Sequence, residues 1–321
     1  MSTNSTKDTS IKVSVLMIAY NHEAFIAQAL NSVLMQKVDF DYEIVIGDDC
    51  STDNTRKILN EYQKRNPDKI KLLLHERNLG FHGKGNLVET HNACLGQYIA
   101  ILEGDDYWIS PHKLQKQADF LDDNPQFAIC FTATLAFYDD GSKAATIFPD
   151  LNYKKVSTLE DLLHGNFMHT CSVMFRNKLF SEYPKWFYEV TTADLALHII
   201  NAQYGKIGYI NEVTSKYRIH KNGLWSIKSK KNIISKYESA IRLYSNLSTY
   251  LDPKYCYIIN QGNFHFYEVL MAKHIDTYNF SDALKLFLKY IKSYNFNIRM
   301  TLKFLLMVIR KVISHLKRKV I

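Results

Sequence analysis

Five cysteines in 321 residues, Cys50, Cys94, Cys130, Cys171 and Cys256, are odd in number and widely scattered. No CxxC pair occurs, so neither a cysteine zinc site nor a disulfide framework is expected, and a reducing compartment fits. Glycine-rich phosphate loops are missing too. Neither GxGxxG nor GxxxxGKS/T is present, which argues against a dinucleotide fold or a P-loop. No uncharged run reaches the ~20 residues that span a bilayer. Residues 1–10 are polar and lack an apolar segment, so no secretory signal is expected and a cytoplasmic location follows. Internal repeats and low-complexity tracts are absent.

What is present is ordinary in amount and uneven in placement. Hydrophobic residues make up 46% and charged residues 22%, as in a globular protein. The net charge of +8 divides sharply: residues 221–321 carry 18 Lys and Arg against 5 Asp and Glu, residues 1–220 carry 22 against 27. Opposite charge in two parts suggests two jobs. Nucleic acid and an anionic membrane surface are both candidate partners for the basic part.

The first hundred residues alternate in period. Ile11 to Ala19 and Tyr42 to Gly47 are apolar, β-branched runs that predict buried strands. Ile70 to Leu74 and Tyr98 to Leu102 predict two more. Between them, Glu23–Met35, Asn54–Arg65 and Gly85–Leu95 predict helices, with Ser51, Thr52 or Asp53 as N-cap of the second. This β-α-β-α-β-α-β order implies parallel strands and right-handed crossovers. Further on, Pro111–Leu121 and Thr191–Tyr204 predict helices, and Phe127–Ala136, Met168–Arg176 and Gly208–Ile219 predict strands. Beyond Trp225 the pattern is helical: 233–250, 255–272, 281–290 and 298–320.

Glu103-Gly104-Asp105-Asp106-Tyr107-Trp108 follows the fourth predicted strand directly. Three carboxylates that close repel one another and call for a counter-charge. A divalent cation carrying a diphosphate supplies one, because hard cations prefer carboxylate and phosphate oxygens. A solvated acidic turn is the plain alternative. Asp48-Asp49 ends the second strand and Tyr20-Asn21 the first, so all three tips fall on the edge where open α/β sheets bind ligands.

Five stretches together, Ser14–Asn21 (SVLMIAYN), Asp48–Asp53 (DDCSTD), Leu102–Trp108 (LEGDDYW), Ala193-Asp194 and Tyr217–His220 (YRIH), resemble the inverting family-2 glycosyltransferases of bacterial surface-polysaccharide type. The resemblance covers about residues 11–226. It implies an α/β fold of GT-A type, Rossmann-like, with a mostly parallel central sheet flanked by helices. The catalytic domain would occupy 1–226, its nucleotide-sugar half about 11–108 and its acceptor half about 109–226. Residues 227–321 would form a basic helical extension. The implied activity is hexosyl or N-acetylhexosaminyl transfer from a nucleotide sugar, usually a UDP-sugar, with Mn2+ or Mg2+, to a glycan or polyprenyl-linked acceptor.

Carried over position by position, the resemblance makes Asp49 the carboxylate that reads the base, with Ala19, Tyr20, Asn21 and Glu23 lining the nucleoside pocket and Lys84 beside the nucleotide. Asp106 would ligate the metal and Asp105 reach the ribose or the sugar. Glu103 stands where the family has the first Asp of its Asp-x-Asp element, and with Gly104 is placed toward the sugar. His220 would complete the clamp on metal or diphosphate, and Arg218 hold its loop. Asp194 is the implied general base, the one carboxylate that inversion needs on the acceptor side. Where the family often has Asp-Trp, this chain has Asp194-Leu195. Trp108 and Trp225 are candidates for stacking on sugar faces or for core packing, and His169 for the acceptor floor.

The segment 298–321 interleaves aliphatic with basic residues and suits a helix lying in a membrane interface, which would put the enzyme at the inner face of the plasma membrane; packing on the catalytic domain or on a second subunit is the alternative. A nucleotidyltransferase is the rival enzyme, but the first strand is followed by Tyr20-Asn21-His22-Glu23 where such an enzyme has a glycine-rich basic loop. A basic nucleic-acid-binding protein is the non-enzymatic rival; the charge sits in one terminal block and no RNA-binding signature accompanies it.

Overall fold

The structure is a computed structural model, and it describes residues 10–319 apart from 81–82, 222, 224–229, 278 and 295–297. Trp225 lies outside the described residues. Two compact units make up the chain: Met1–Tyr188 with Ala193–Ser226, and Glu189–Thr192 with Ile227–Ile321.

The first unit opens with β1 (Val13–Ala19), α1 (Ile26–Leu34), β2 (Tyr42–Asp48), α2 (Thr55–Arg65), β3 (Ile70–Leu74), α3 (Lys84–Asn92) and β4 (Tyr98–Glu103). All seven residues of β2 are buried, as expected of a strand covered on both faces. The strands are parallel in the order β3-β2-β1-β4. In α1, Ile26, Ala29, Leu30 and Val33 bury the stripe that helical spacing predicts. Register fixes what meets at the edge: Ala19 pairs with Asp48 and Ile18 with Glu103, so three strands run out level with one another.

The chain then adds β5 (Tyr107–Trp108), α4 (Lys113–Asp123), β6 (Phe127–Tyr138), β7 (Thr146–Phe148), β8 (Val156–Ser157), α5 (Leu159–His164), β9 (Val173–Arg176), α6 (Ala193–Ala202) and β10 (Lys206–Ile219). These extend the sheet as β4-β9-β6-β10-β5, with β7 beside β6 and β8 beside β10. β9 is antiparallel to both of its neighbours. The run Met168–Arg176, read as one strand, is a 3-10 turn at Thr170–Ser172 and then β9. Residues 171–175 are buried throughout, so an apolar run alone does not distinguish the two.

β10 is long and irregular. Its register against β6 shifts at Ile210/Val213 and again at Val213/Ser215, which bends the strand. Its far end pairs Ser215 with Trp108 and Lys216 with Tyr107, bringing residues 218–220 back beside the loop after β4.

The second unit holds α7 (Lys230–Tyr250), α8 (Cys256–Asp276), α9 (Phe280–Tyr294) and α10 (Ile298–Lys319). Its core is Ile241, Tyr267, Leu270, Met271, Ile275, Ala283, Tyr290 and Phe304. No helix of the described residues is long and apolar enough to cross a membrane.

Candidate active site

The loops after β1 and β2 are laced together. Asn21 Oδ1 accepts from Thr52 N at 2.8 Å, and Asn21 N donates to Ser51 Oγ at 2.9 Å. Glu23 Oε2 accepts from Asn54 N and Nδ2, and Glu23 N donates to Asp53 Oδ2. The N-cap position of α2 is Asn54, which gives no side-chain cap, rather than the expected Ser51, Thr52 or Asp53; Ser51 Oγ and Asp53 Oδ2 accept from the loop after β1, while Asp53 Oδ1 accepts from Thr55 N at the start of the helix. Asp48 is fully buried and holds Ser51 and Arg56. Asp49 stands beside Ala19, to whose carbonyl its N–H donates at 3.0 Å. Its Oδ1 accepts from Leu79 N at 2.7 Å. Tyr20 is about half exposed, while Lys84 begins α3 and is buried.

The loop after β4 carries the charge. One ligand atom from each of Glu103, Asp105 and Asp106 falls within a single 4.8 Å span, the one such group of acidic, His or Cys residues among the described residues. Asp106 Oδ1 accepts from Arg218 N at 2.7 Å. Its Oδ2 is buried and makes no hydrogen bond of ordinary geometry, the one side-chain donor against this carboxyl among the described residues being the weak Cys171 thiol. Asp105 Oδ2 accepts from His220 Nε2 at 3.1 Å, with His22 Nε2 at 3.8 Å. Arg218 anchors the loop: Nε donates to the Asp105 carbonyl at 2.9 Å, and the guanidinium reaches Asp139 and Gln28 over the Phe25 ring. Gly104 fits tightly. A Cβ there would lie 2.7 Å from His22 Nδ1 and 2.8 Å from Ile26 Cδ1.

Proton affinities diverge within this cluster. Burial, then the charges of Asp105, Asp106 and Asp194, push Glu103 well above the usual carboxylate range. Burial and Asp105 likewise raise Asp106. Burial also pulls Asp105 upward, but the His220 hydrogen bond and the fields of His22 and His220 outweigh it and hold Asp105 low. A site of two reluctant carboxylates, one ionised carboxylate and a buried oxygen with only a weak thiol donor suits a hard divalent cation.

Asp194 lies in the first turn of α6, half-buried, and its Oδ2 accepts from Asn166 Nδ2 at 3.2 Å. Asn166 Oδ1 accepts from Met168 N at 3.1 Å, which turns its amide nitrogen toward Asp194. Burial raises Asp194, against the backbone N–H groups of Leu195 and of Asp194 itself. The helix terminus therefore does not hold this carboxylate at its ordinary value. Asp194 is also among the charges felt by Glu103, so Asp194 and the acidic cluster share one field.

His169 stacks on Tyr217 at 4.4 Å and 17°, bonds Thr134 Oγ1 at 2.6 Å, and burial pushes it down to about 4. Tyr217 is raised by burial and then by the charges of Glu103, Asp106 and Asp105. Trp108 is 1% exposed, donates to the Cys171 carbonyl at 2.8 Å and lies under Lys113 Nζ, so its ring is packed within the core. The residues to which the sequence assigns no role are His22, Asn166 and Tyr217, although Tyr217 opens the YRIH stretch. Spacing carries no signal for Asn166, whereas His22 directly follows Asn21.

The profile of glycosyl transferase family 2 matches residues 14–183. An uncharacterized protein of Mycobacterium tuberculosis is 36% identical over 214 residues, 66% of this chain and 60% of that protein. The chain thus spans about 60% of the length of the mycobacterial relatives it matches. A putative teichuronic acid biosynthesis glycosyltransferase of Bacillus subtilis is 30% identical over 219 residues, 68% of this chain and 83% of that protein. Among solved structures, Staphylococcus aureus TarS 1–349 in complex with UDP aligns with a TM-score of 0.55 at 18% identity, covering 91% of this chain and 77% of that one. The fold is that of these GT-A neighbours.

Proposed function

Because the chain belongs to glycosyl transferase family 2, we propose that it is a metal-dependent inverting glycosyltransferase that moves a hexosyl or N-acetylhexosaminyl group from a UDP-sugar to a hydroxyl of a glycan or lipid-linked acceptor. The observation that carries this is the Glu103–Asp105–Asp106 cluster, in which Asp106 Oδ2 is buried with no donor better than the weak Cys171 thiol. A polar atom left so is costly unless a ligand completes it. Mn2+ or Mg2+ would be held by Asp106 with Asp105 and Glu103, and would supply a Lewis acid for the diphosphate when bound. His220, now on Asp105, keeps that carboxylate ionised and in place.

Asp49, at the tip of β2 beside Ala19, would accept from an imide N–H such as that of uracil. Asp194, turned by Asn166, takes the acceptor proton as the acceptor oxygen attacks C1 from the face opposite the diphosphate. The new C–O bond forms as the bond to the diphosphate breaks, so configuration inverts in one displacement. A role in surface-polysaccharide synthesis is supported by relatives: one carries the teichuronic acid name, and another, 37% identical over 117 residues, is a poly(ribitol-phosphate) β-N-acetylglucosaminyltransferase. Such acceptors would place the enzyme at the cytoplasmic face of the membrane.

A thermal-shift panel of UDP-, GDP-, CDP- and dTDP-sugars, with and without Mn2+, tests the donor. UDP-sugars with Mn2+ should raise the melting temperature most. A panel in which no nucleotide sugar stabilises the protein overturns the function. A larger GDP-sugar shift overturns the uridine assignment alone.

A further inference from the structure

α10 is apolar on two sides. Phe304, Met307 and Val308 pack into the core of the helical unit, and Phe304 stacks on Phe287 of α9 at 4.5 Å and 9°. Ile298, Leu302, Leu305, Leu306, Ile309 and Ile313 recur at i, i+4, i+7, i+8, i+11 and i+15, which is one helical face, and each remains 47–68% exposed. A surface helix whose one stripe is already packed normally turns polar groups outward. α9 repeats the pattern on a smaller scale: Leu284 and Leu288, one turn apart, are 47% and 57% exposed. Grouped exposed aliphatics mark a surface that something covers.

Charge identifies the cover. Between residues 280 and 321 there are ten Lys and Arg against one Asp. Lys285, Lys289 and Lys292 on α9 and Arg310 on α10 are exposed beside these aliphatics. In a two-fold dimer this face would meet its own copy and set like charge against like charge. The exposed side chains are all Leu and Ile, without the aromatic anchors that dominate protein interfaces. An anionic lipid layer supplies both an apolar phase for the aliphatics and counter-charge for the rim.

We propose that the outward faces of α9 and α10 form a membrane-docking surface, which lies in the interface of a bilayer rich in anionic lipid. This inference is independent of the donor and the reaction. The full chain is tested by flotation with vesicles of phosphatidylcholine alone or mixed with phosphatidylglycerol. The wild type should float with the mixed vesicles and not with phosphatidylcholine alone, and high salt should weaken its binding. Leu305→Glu with Ile309→Glu should lower the bound fraction about tenfold or more, whereas Leu95→Glu, at an exposed leucine of the catalytic unit, should not. Lys289→Glu with Lys292→Glu tests the rim by itself and should also reduce flotation. Melting curves by circular dichroism confirm that each variant folds. Equal flotation on both vesicle types, or aliphatic variants that bind as the wild type does, overturns the proposal. So does a protein that never floats but forms a dimer which the Leu305/Ile309 variant dissociates, because the cover is then a second copy.

Discussion

Asp194 is the residue on which the proposed chemistry turns, and its surroundings give that role a sign. Burial lifts its carboxyl above the ordinary value of 3.8. A general base works best as its pKa approaches the working pH. Asp194 must be ionised to act, so kcat should fall as pH drops through its raised pKa. The acid limb of the pH–rate profile should therefore lie above the position of an exposed aspartate; a limb at that ordinary position would remove the base role. Asp194→Asn should cut transfer by ~10²–10⁴-fold. Calorimetric titration should show donor affinity nearly unchanged, and an equal loss of donor affinity would move Asp194 to the nucleotide side. Asn166 stands 28 positions away and touches Asp194 through one amide. No periodicity or motif announces such a pair, because it depends on where the 166–168 turn falls against α6.

At the level of elements, the site is a product of register. β1, β2 and β4 run out level, and the loop after β4 turns through Gly104 against His22, Ile26 and the Ile18 carbonyl. Gly104→Ala forces His22 or the loop to shift. Overpacking of this kind costs ~1–3 kcal/mol and displaces Asp105 and Asp106. Mn2+ binding followed by electron paramagnetic resonance should weaken about tenfold, the equivalent of ~1.4 kcal/mol, and unchanged affinity would show that the turn does not set the cluster. Chelation with EDTA should abolish activity and added Mn2+ or Mg2+ restore it; full activity after chelation would remove the cation from the account. The strand tips were legible beforehand because central parallel strands are continuous apolar runs with acidic ends. The pairing of His220 with Asp105, across 115 positions, follows from the bulges of β10 and the two-residue β5. The YRIH motif marks the residue, but only the bent strand shows which carboxylate it meets. Trp108 was ambiguous for a related reason: a tryptophan next to an acidic motif has the same spacing whether its ring faces a sugar or the core.

Over the whole molecule, acid sensitivity should be traceable to a histidine that belongs to no motif. His198 on α6 is fully buried, and neither ring nitrogen has a hydrogen-bond partner. Burial pushes it from 6.5 down to about 4. The folded state thus binds this proton less readily than the unfolded chain does. The associated stability is complete above pH 6.5 and is lost as pH falls toward 4, a difference of ~3 kcal/mol at full effect. Other groups titrate in the same window with both signs. His91 and His169, also held near 4, act in the same direction as His198. Glu103, Asp106 and Asp194 act oppositely, since raised carboxyls contribute stability at low pH that disappears as pH rises. The net curve therefore does not isolate one residue, but a difference between two proteins does. His198→Leu removes the titration while leaving the other groups in place. Wild-type stability from urea unfolding should fall relative to the variant by up to ~3 kcal/mol between pH 6.5 and 4. A gap between the two proteins that stays constant over that range would show that His198 does not titrate on unfolding.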